Sequence, residues 1–216
     1  MEDNFIWNDA GEDAPVLILA HGAGAGMDSD FMEKMAGLLC EWGVTTVRFE
    51  FPYMQQRRAS GKKRPPDRQP VLLEHWQKVL DKVVVMTSAP VFIGGKSMGG
   101  RMATLLLSEH SGKSAVSGVV CLGYPFYAIG KKERPRVDHL KELAKPVLIL
   151  QGERDTMGDE NTVSQYILGD MVNIHWLEDG NHDLKPRKLS GFSHDQHLGT
   201  AASAVANFMS ARQVRE

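Results

Sequence analysis

The sequence has little cysteine and almost no net charge, and both shortages exclude classes of protein. Its two cysteines, Cys40 and Cys121, lie inside the apolar segments LLCEW and VVCLG. Cysteines in such surroundings are typical of small core residues in a reducing compartment, and two are too few for a disulfide scaffold. The formal net charge of −2 gives the whole molecule no nucleic-acid or membrane-surface signature.

Long apolar runs and clusters of metal ligands are also missing. No stretch reaches the roughly 18 apolar residues that a membrane span needs. The N-terminal segment MEDNFIWNDAGEDAPV is acidic and lacks the basic start of a signal peptide. Histidines and acids are not spaced as metal ligands are. We therefore expect a cytoplasmic protein with no metal and no other cofactor, forming a single domain over residues 1–216, with its oligomeric state open.

What the sequence does contain is a regular alternation of short apolar segments and helical patterns. The short segments are rich in aliphatic and β-branched residues and predict strands at 15–20, 44–51, 90–95, 115–123, 146–152 and 172–178. Apolar residues at helical spacing predict helices at 28–42, 71–86, 98–109 and 195–211. This alternation predicts an α/β fold with about six to seven mostly parallel strands and helices on both faces. Residues 4–9 add at most one edge strand.

Three residues that follow predicted strands have the chemistry of nucleophilic catalysis. The segments GGKSMGG, ERD and DGNHD place Ser97, Asp155 and His182 just past three strand ends. Parallel sheets bind ligands at that edge, so these side chains are expected to meet. A serine hydroxyl needs an adjacent base, a histidine can supply it, and a carboxylate can orient the imidazole. Asp179 and Asp183 compete with Asp155 for the third role.

The segment GGKSMGG has two chemical interpretations. The letters GKS match the end of a phosphate-binding P-loop, whereas GKSMG matches G-x-S-x-G, the strand-to-helix turn that presents a serine nucleophile. The P-loop requires a glycine where this chain has Pro90, and residues 91–93 are strand-like. Nucleotide binding is therefore disfavoured. Lys96 then occupies the variable position of the turn, and its charge beside Ser97 raises the question of substrate preference.

Six ordered segments resemble the α/β-hydrolase superfamily and together cover nearly the whole chain: AHGAGAGMDSDFM, RFEFPYM, GGKSMGGRMA, LGYPF, LQGERD and DGNHDLKP. Within it they are similar to small predicted bacterial hydrolases related to the testis-expressed and KAT8-complex-subunit α/β-hydrolase-like proteins. The resemblance implies that Ser97 is the nucleophile, His182 the base and then the acid, and Asp155 the residue that orients His182. It also implies that the backbone N–H groups of Ala23 and Met98 stabilise the oxyanion.

The resemblance also directs attention to the substrate end of the site. Many hydrolases of this superfamily carry a lid where this chain has only residues 124–145, so we expect no large lid and an open mouth. Candidate substrate contacts follow strand ends or lie one turn past Ser97, and each is equally compatible with ordinary packing: Tyr53, Tyr124, Phe126, Met157 and Arg101.

Segment 54–68, MQQRRASGKKRPPDR, is unusual in holding six basic residues and one acid. We expect a loop at the border of the active-site face. The simplest interpretation of this segment is a solvated surface loop. The alternatives are that residues such as Arg57 and Arg58 steer an anionic substrate, or that the segment docks an acidic protein partner.

The sequence therefore predicts a serine hydrolase that cleaves a small soluble acyl ester or thioester through an acyl-enzyme on Ser97. A preference for anionic substrates is a further hypothesis. Two alternatives remain: a hydrolase-like binding or scaffold module with vestigial activity, and an acyltransferase or peptidase that uses the same three residues. Neither a nucleic-acid nor a membrane partner is expected.

Overall fold

One sheet organises the part of the chain that the computed structural model describes, residues 4–109 and 115–211. Its strands are β1 (Ile6–Asn8), β2 (Val16–Ala20), β3 (Thr45–Phe49), β4 (Val91–Lys96), β5 (Val116–Leu122), β6 (Val147–Gly152) and β7 (Val172–Leu177). They lie in the order β1-β3-β2-β4-β5-β6-β7. β1 pairs with β3 in antiparallel fashion, and every other neighbouring pair is parallel.

Helices cover both faces of this sheet. In the described ranges they are α1 (Asp30–Glu41), α2 (Pro52–Ser60), α3 (Gln69–Val84), α4 (Met98–Glu109), α5 (Glu160–Val163) and α6 (His194–Ser210). α1 and α6 bury their apolar residues against one face of the sheet, while α2, α3, α4 and α5 do so against the other. The molecule thus has two apolar layers with the sheet between them.

The central strand β2 shows why the apolar segments are continuous instead of alternating. All five of its residues are buried. Leu17 and Leu19 belong to the layer under α1 and α6, whereas Ile18 and Ala20 belong to the layer under α3 and α4. A strand that is covered on both faces needs apolar side chains at every position, which is the pattern of the sequence.

The structure confirms the α/β architecture that the alternation predicts. All six predicted strands and all four predicted helices are present, with ends that differ by one or two residues. Residues 6–8 supply the edge strand β1 within the segment 4–9. All residues between β5 and β6 are described, and the regular structure among them is one 3-10 turn, Asp138–Leu140. The prediction of a fold without a large lid is therefore confirmed.

The basic segment 54–68 differs from the expected loop, because its first part belongs to α2. Pro52 occupies the first turn of this helix, where its missing N–H has no cost, and Gly61 ends the helix with a φ of 67°. Only Tyr53 and Met54 of the helix are buried. With so few apolar residues the helix has no hydrophobic periodicity, which is why the sequence pattern missed it.

Candidate active site

Ser97 occupies the turn between β4 and α4. β4 ends at Lys96 and α4 begins at Met98, so a single residue makes the change from strand to helix. Its φ of 51° lies in the left-handed region, which costs a residue with a side chain about 1–2 kcal/mol. Two backbone hydrogen bonds hold this conformation. The Ser97 N–H donates to the Leu122 carbonyl at 3.0 Å, and the Ser97 carbonyl accepts from the Arg101 N–H at 3.1 Å.

Gly95 and Gly99 allow this turn because no side chain fits at either position. A β-carbon built on either residue would lie 2.5 Å from the carbonyl oxygen of Ala20 in β2, closer than real β-carbons approach. Strand, turn and helix therefore pack backbone against backbone here. This contact is the physical reason for both glycines of G-x-S-x-G in this chain.

The structure joins Ser97, His182 and Asp155 in one chain of hydrogen bonds. His182 Nε2 lies 2.8 Å from Ser97 Oγ, and His182 Nδ1 lies 2.7 Å from Asp155 Oδ2. A carboxylate accepts hydrogen bonds, so these partners assign the proton to Nδ1 and leave Nε2 as an acceptor. The arrangement can therefore move a proton from the serine hydroxyl to the imidazole.

Asp155 is fully buried, and every partner of its carboxylate is a donor. Oδ1 accepts from the Met157 backbone N–H at 2.8 Å, and Oδ2 accepts from the Gln151 side-chain amide at 2.9 Å as well as from His182. The Gln151 amide is itself held in place, because its oxygen accepts from the Tyr124 N–H at 2.7 Å. Sequence reasoning missed Gln151, although a lone amide in the apolar segment VLILQG was an available signal.

The two competing carboxylates have other partners. Asp179 pairs with the side chains of Arg187 and Arg154, and the hydrogen bond from Arg187 lowers the Asp179 pKa to about 2. Asp183 pairs with Lys96, whose Nζ lies 3.1 Å from Asp183 Oδ1. The Lys96 side chain is only 10% exposed. The charge beside the serine therefore has a partner within the protein, on the loop that carries His182.

The loop after β2 carries Ala23, and two buried side chains hold its main chain. Burial lowers the pKa of His21, and the neutral ring donates from Nδ1 to the Gly22 carbonyl at 2.6 Å while Nε2 accepts from the Phe51 N–H at 3.1 Å. The Tyr53 hydroxyl lies 3.2 Å from the Gly22 carbonyl and 3.1 Å from that of Ala23. The carbonyl groups of Gly22 and Ala23 therefore both have hydrogen-bond partners, and these bonds hold the main chain of the loop.

Gly22 and Met98 place main-chain groups next to the serine. A β-carbon built on Gly22 would lie 3.8 Å from Ser97 Cβ, so the loop after β2 runs directly beside the turn. Met98 is the first residue of α4, and first-turn N–H groups have no partner within their own helix. The positive end of the helix dipole also points to this place. The assignment of the Ala23 and Met98 N–H groups to an oxyanion hole stays a prediction.

The other predicted substrate contacts have structural partners. Tyr124 and Phe126 are fully buried and pack edge to face with ring centroids 4.8 Å apart. The Tyr124 hydroxyl donates to the Arg136 carbonyl at 3.0 Å. Arg101 is half-buried, and its Nη2 lies 3.5 Å from Gln69 Oε1 on α3. A role of these side chains in substrate binding stays a prediction.

Arg57 and Arg58 differ although they are neighbours on α2. Arg58 binds both carboxylate oxygens of the buried Glu50, at 2.6 and 3.1 Å, and also contacts Asp28 at 2.8 Å. Arg57 instead donates to the Gly24 carbonyl at 3.3 Å, on the loop that carries Ala23. A cavity of about 260 Å³ lies against both arginines and is also lined by Lys62 and Lys63.

Metal-ligand clusters and membrane-spanning helices are both absent from the residues that the structure describes. No group of three or more histidine, cysteine, aspartate or glutamate side chains is arranged there to hold a metal ion. No helix among the residues that the structure describes is long and apolar enough to cross a membrane.

A serine at a strand-to-helix turn, followed by an acid and a histidine at later strand ends of a mostly parallel sheet, is the arrangement of α/β hydrolases. Residues 13–210 match the family model described as the alpha/beta hydrolase domain. The chain belongs to this family and is a hydrolase by that membership.

Solved structures share this fold at low sequence identity. Est1E from Butyrivibrio proteoclasticus, solved with ferulic acid bound, aligns with a TM-score of 0.71 and 17% identity over 99% of this chain and 96% of its own. An alpha-beta serine hydrolase homologue from Coxiella burnetii gives 0.67 and 19% over 96% and 97%. A serine hydrolase from Xanthomonas campestris described as having no lid gives 0.67 and 17% over 95% and 88%.

Proposed function

We propose that this protein is a serine hydrolase that cleaves a small acyl ester or thioester through an acyl-enzyme on Ser97. The observation that carries the proposal is the position of His182, within 2.8 Å of Ser97 Oγ and 2.7 Å of Asp155 Oδ2. One imidazole is thereby placed to accept the serine proton while the carboxylate holds its tautomer. A serine hydroxyl without such a base is a weak nucleophile.

The reaction follows from this geometry in two halves. Ser97 Oγ attacks the acyl carbonyl as its proton passes to His182 Nε2, and the Ala23 and Met98 N–H groups bind the oxyanion. Donors of this kind typically contribute ~3–4 kcal/mol each to the transition state. His182 then protonates the leaving group, and the acyl-enzyme forms. Water attacks that acyl group with His182 as base, which releases the acid and restores Ser97.

The comparisons favour ester chemistry within this class. One solved structure of the same fold is Est1E with bound ferulic acid, and another is a cold-adapted esterase from an Arctic metagenomic library. A scaffold with vestigial activity would not need the buried donors that hold Asp155. The acyltransferase and peptidase alternatives use the same three residues and differ only in the acceptor or the bond cleaved. We also propose that the chain is related to the small bacterial hydrolases that resemble the testis-expressed and KAT8-complex-subunit α/β-hydrolase-like proteins.

Composition adds three further parts to the proposal. The two cysteines within apolar segments support a cytoplasmic enzyme. The chain length supports a single domain over residues 1–216. The basic residues of segment 54–68 could alternatively bind an acidic protein partner.

A fluorophosphonate probe tests the proposed function directly. The probe phosphonylates activated serines, so we expect stoichiometric labelling of the native protein, located at Ser97 by peptide mass spectrometry. Heat-denatured protein is the control and should not be labelled. A screen of short-chain p-nitrophenyl esters, thioesters and peptides then separates the three reaction types. A folded protein that the probe leaves unlabelled would rule out a serine hydrolase.

Arg57 supports a preference for anionic substrates better than Arg58 does. The charge of Arg58 is balanced by Glu50 and Asp28, whereas the guanidinium of Arg57 has only a backbone carbonyl as its side-chain partner among the hydrogen bonds of the described residues. Lys62 and Lys63 border the same cavity, together with the Glu50 and Asp28 carboxylates that pair with Arg58. We propose that Arg57, Lys62 and Lys63 together attract a substrate that carries a carboxylate.

Ionic strength provides the test of this preference. Between about 20 and about 500 mM salt, kcat/KM for a carboxylated ester should fall roughly three- to tenfold more than for a neutral ester of equal size. Arg57→Gln should remove much of that difference. Lys78→Gln, which removes an exposed cation paired with Glu74 on α3, is the matched control. Equal salt responses of the two esters in the unmodified protein would contradict the preference.

A further inference from the structure

The most unusual charged group near the serine is Lys96, the variable residue of G-x-S-x-G. A lysine is rarely buried unless its ammonium group is paired. Here the side chain is 10% exposed, and the residue ends β4 directly before Ser97. Burial of an ammonium group costs free energy that its contacts must offset. The contacts of Lys96 therefore indicate what this residue does beside Ser97.

Three partners surround the ammonium group of Lys96. Nζ donates to the main-chain carbonyl of His182 at 2.7 Å and lies 3.1 Å from Asp183 Oδ1. The ring of Phe31 on α1 provides a cation–π contact at 5.3 Å. Burial lowers the Lys96 pKa, while Asp183 opposes this effect. The ammonium group is thus directed toward the loop that carries His182.

The two polar partners are consecutive residues of one loop, and one of them is the catalytic histidine candidate itself. The same loop is held from other sides as well. His194 Nε2 lies 2.8 Å from the Asp183 carbonyl, and the Asn181 side chain accepts from the Asp183 N–H at 2.9 Å. Lys96 differs from these contacts because its side chain connects the residue directly before Ser97 to the main chain of His182.

We infer that Lys96 is a positioning residue that fixes the main chain of His182 relative to the serine, with Asp183 as its counter-ion. The inference rests on the proposed function. The hydrogen bond from Lys96 Nζ to the His182 carbonyl limits how far His182 Nε2 can move from Ser97 Oγ. A displacement of about 1 Å at such a site can lower a rate roughly a hundredfold. The Lys96 charge, paired with Asp183, then serves geometry and not anion binding.

Two variants and two readouts test the inference. Lys96→Met keeps an unbranched side chain, shorter by one atom, and removes its donors, and we expect kcat to fall about 30- to 100-fold with KM within about twofold of the unmodified protein. Asp183→Asn leaves the bond to the His182 carbonyl in place and should cost about three- to tenfold in kcat. The second readout is the low-field proton resonance of His182 Nδ1–H, which should broaden or disappear in Lys96→Met.

A matched control removes a lysine with a similar ion pair elsewhere. Lys132 pairs with Asp159 at 2.6 Å, and Lys132→Met should leave both kcat and the His182 resonance unchanged. A merely structural role of Lys96 would lower the melting temperature of Lys96→Met while kcat and the resonance stay as they were. That result would overturn the inference.

The remaining outcomes also decide the question. If Lys96→Met does not fold, Asp183→Asn decides, because it removes the counter-ion that holds the Lys96 ammonium group against the His182 carbonyl. A changed resonance or a lower kcat supports the positioning role of Lys96, and an unchanged resonance with unchanged kcat overturns it. The Asp183 side chain is 62% exposed, so this variant is expected to fold. If the unmodified protein is not labelled by fluorophosphonate, the proposed function fails by itself. A resonance lost in Lys96→Met would even then support the positioning of His182.

Discussion

Replacing Ser97 by alanine is expected to lower kcat for an activated short-chain ester by about 10⁵- to 10⁶-fold, because the acyl-enzyme can no longer form. The residual rate comes from binding and from the oxyanion donors. Alanine accepts the φ of 51° at a cost similar to that of serine, so the fold should be retained. The measurement is kcat under saturating ester, together with circular dichroism and the thermal unfolding midpoint.

Ser88→Ala is the control for this substitution. Ser88 precedes β4 and therefore lies at the opposite end of that strand from Ser97. We expect the Ser88→Ala variant to hydrolyse the ester and to react with the fluorophosphonate as the unmodified protein does. Hydrolysis that survives Ser97→Ala at more than about one per cent of the original rate would point to a different nucleophile.

Replacing Asp155 by asparagine is expected to lower kcat by about 10³- to 10⁴-fold with a small change in KM. The reason lies in the partners of the carboxylate, which are all donors: the Met157 N–H, the Gln151 amide and His182 Nδ1. An asparagine has one NH₂ group, and that group must face at least one of these donors. Whichever orientation it takes, a buried hydrogen bond is lost.

The two orientations of that asparagine fail in different ways. With NH₂ at the position of Oδ2, it donates to His182 Nδ1 and forces the proton to Nε2, which can then no longer accept from Ser97. With NH₂ at the position of Oδ1, it faces the Met157 N–H, and a neutral carbonyl replaces the charge that stabilises the imidazolium. The measurement is the pre-steady-state acylation rate. Asp179→Asn is the control and should stay within about threefold, because Asp179 contacts Arg187 and Arg154. An Asp155→Asn enzyme with unchanged acylation would exclude Asp155 from the proposed role.

The strands and the main helices could be predicted because each depends on local pattern. β2, β3, β4 and β6 are buried at every residue, and their sequences are mostly apolar, with Arg48, Lys96 and Gln151 as the long polar exceptions. The meeting of Ser97, Asp155 and His182 could be predicted from the sequence because each of them follows the end of a strand. Parallel strands bring their carboxyl ends to one edge of the sheet, so position in the chain predicts position in space.

Contacts between distant loops could not be read in the same way. α2 holds few apolar residues, and the features that define it, Pro52, Gly61 and the pairing of Arg58 with Glu50, produce no periodic pattern. The pairing of Lys96 with Asp183 joins residues far apart in the chain. A charged residue in a sequence can face solvent, contact a substrate or pair with a buried group, and only the fold shows which of these it does.

Gly95 and Gly99 also set a rule for directed evolution of this protein. The space that a β-carbon would need at either residue is filled by the Ala20 carbonyl oxygen, so every other amino acid there would push α4 away from the sheet. A combinatorial library aimed at new selectivity therefore keeps both codons fixed. Its diversity belongs at positions beside the site that are not packed in this way, such as Met157, which is half-buried and contacts Asp155 through its backbone N–H.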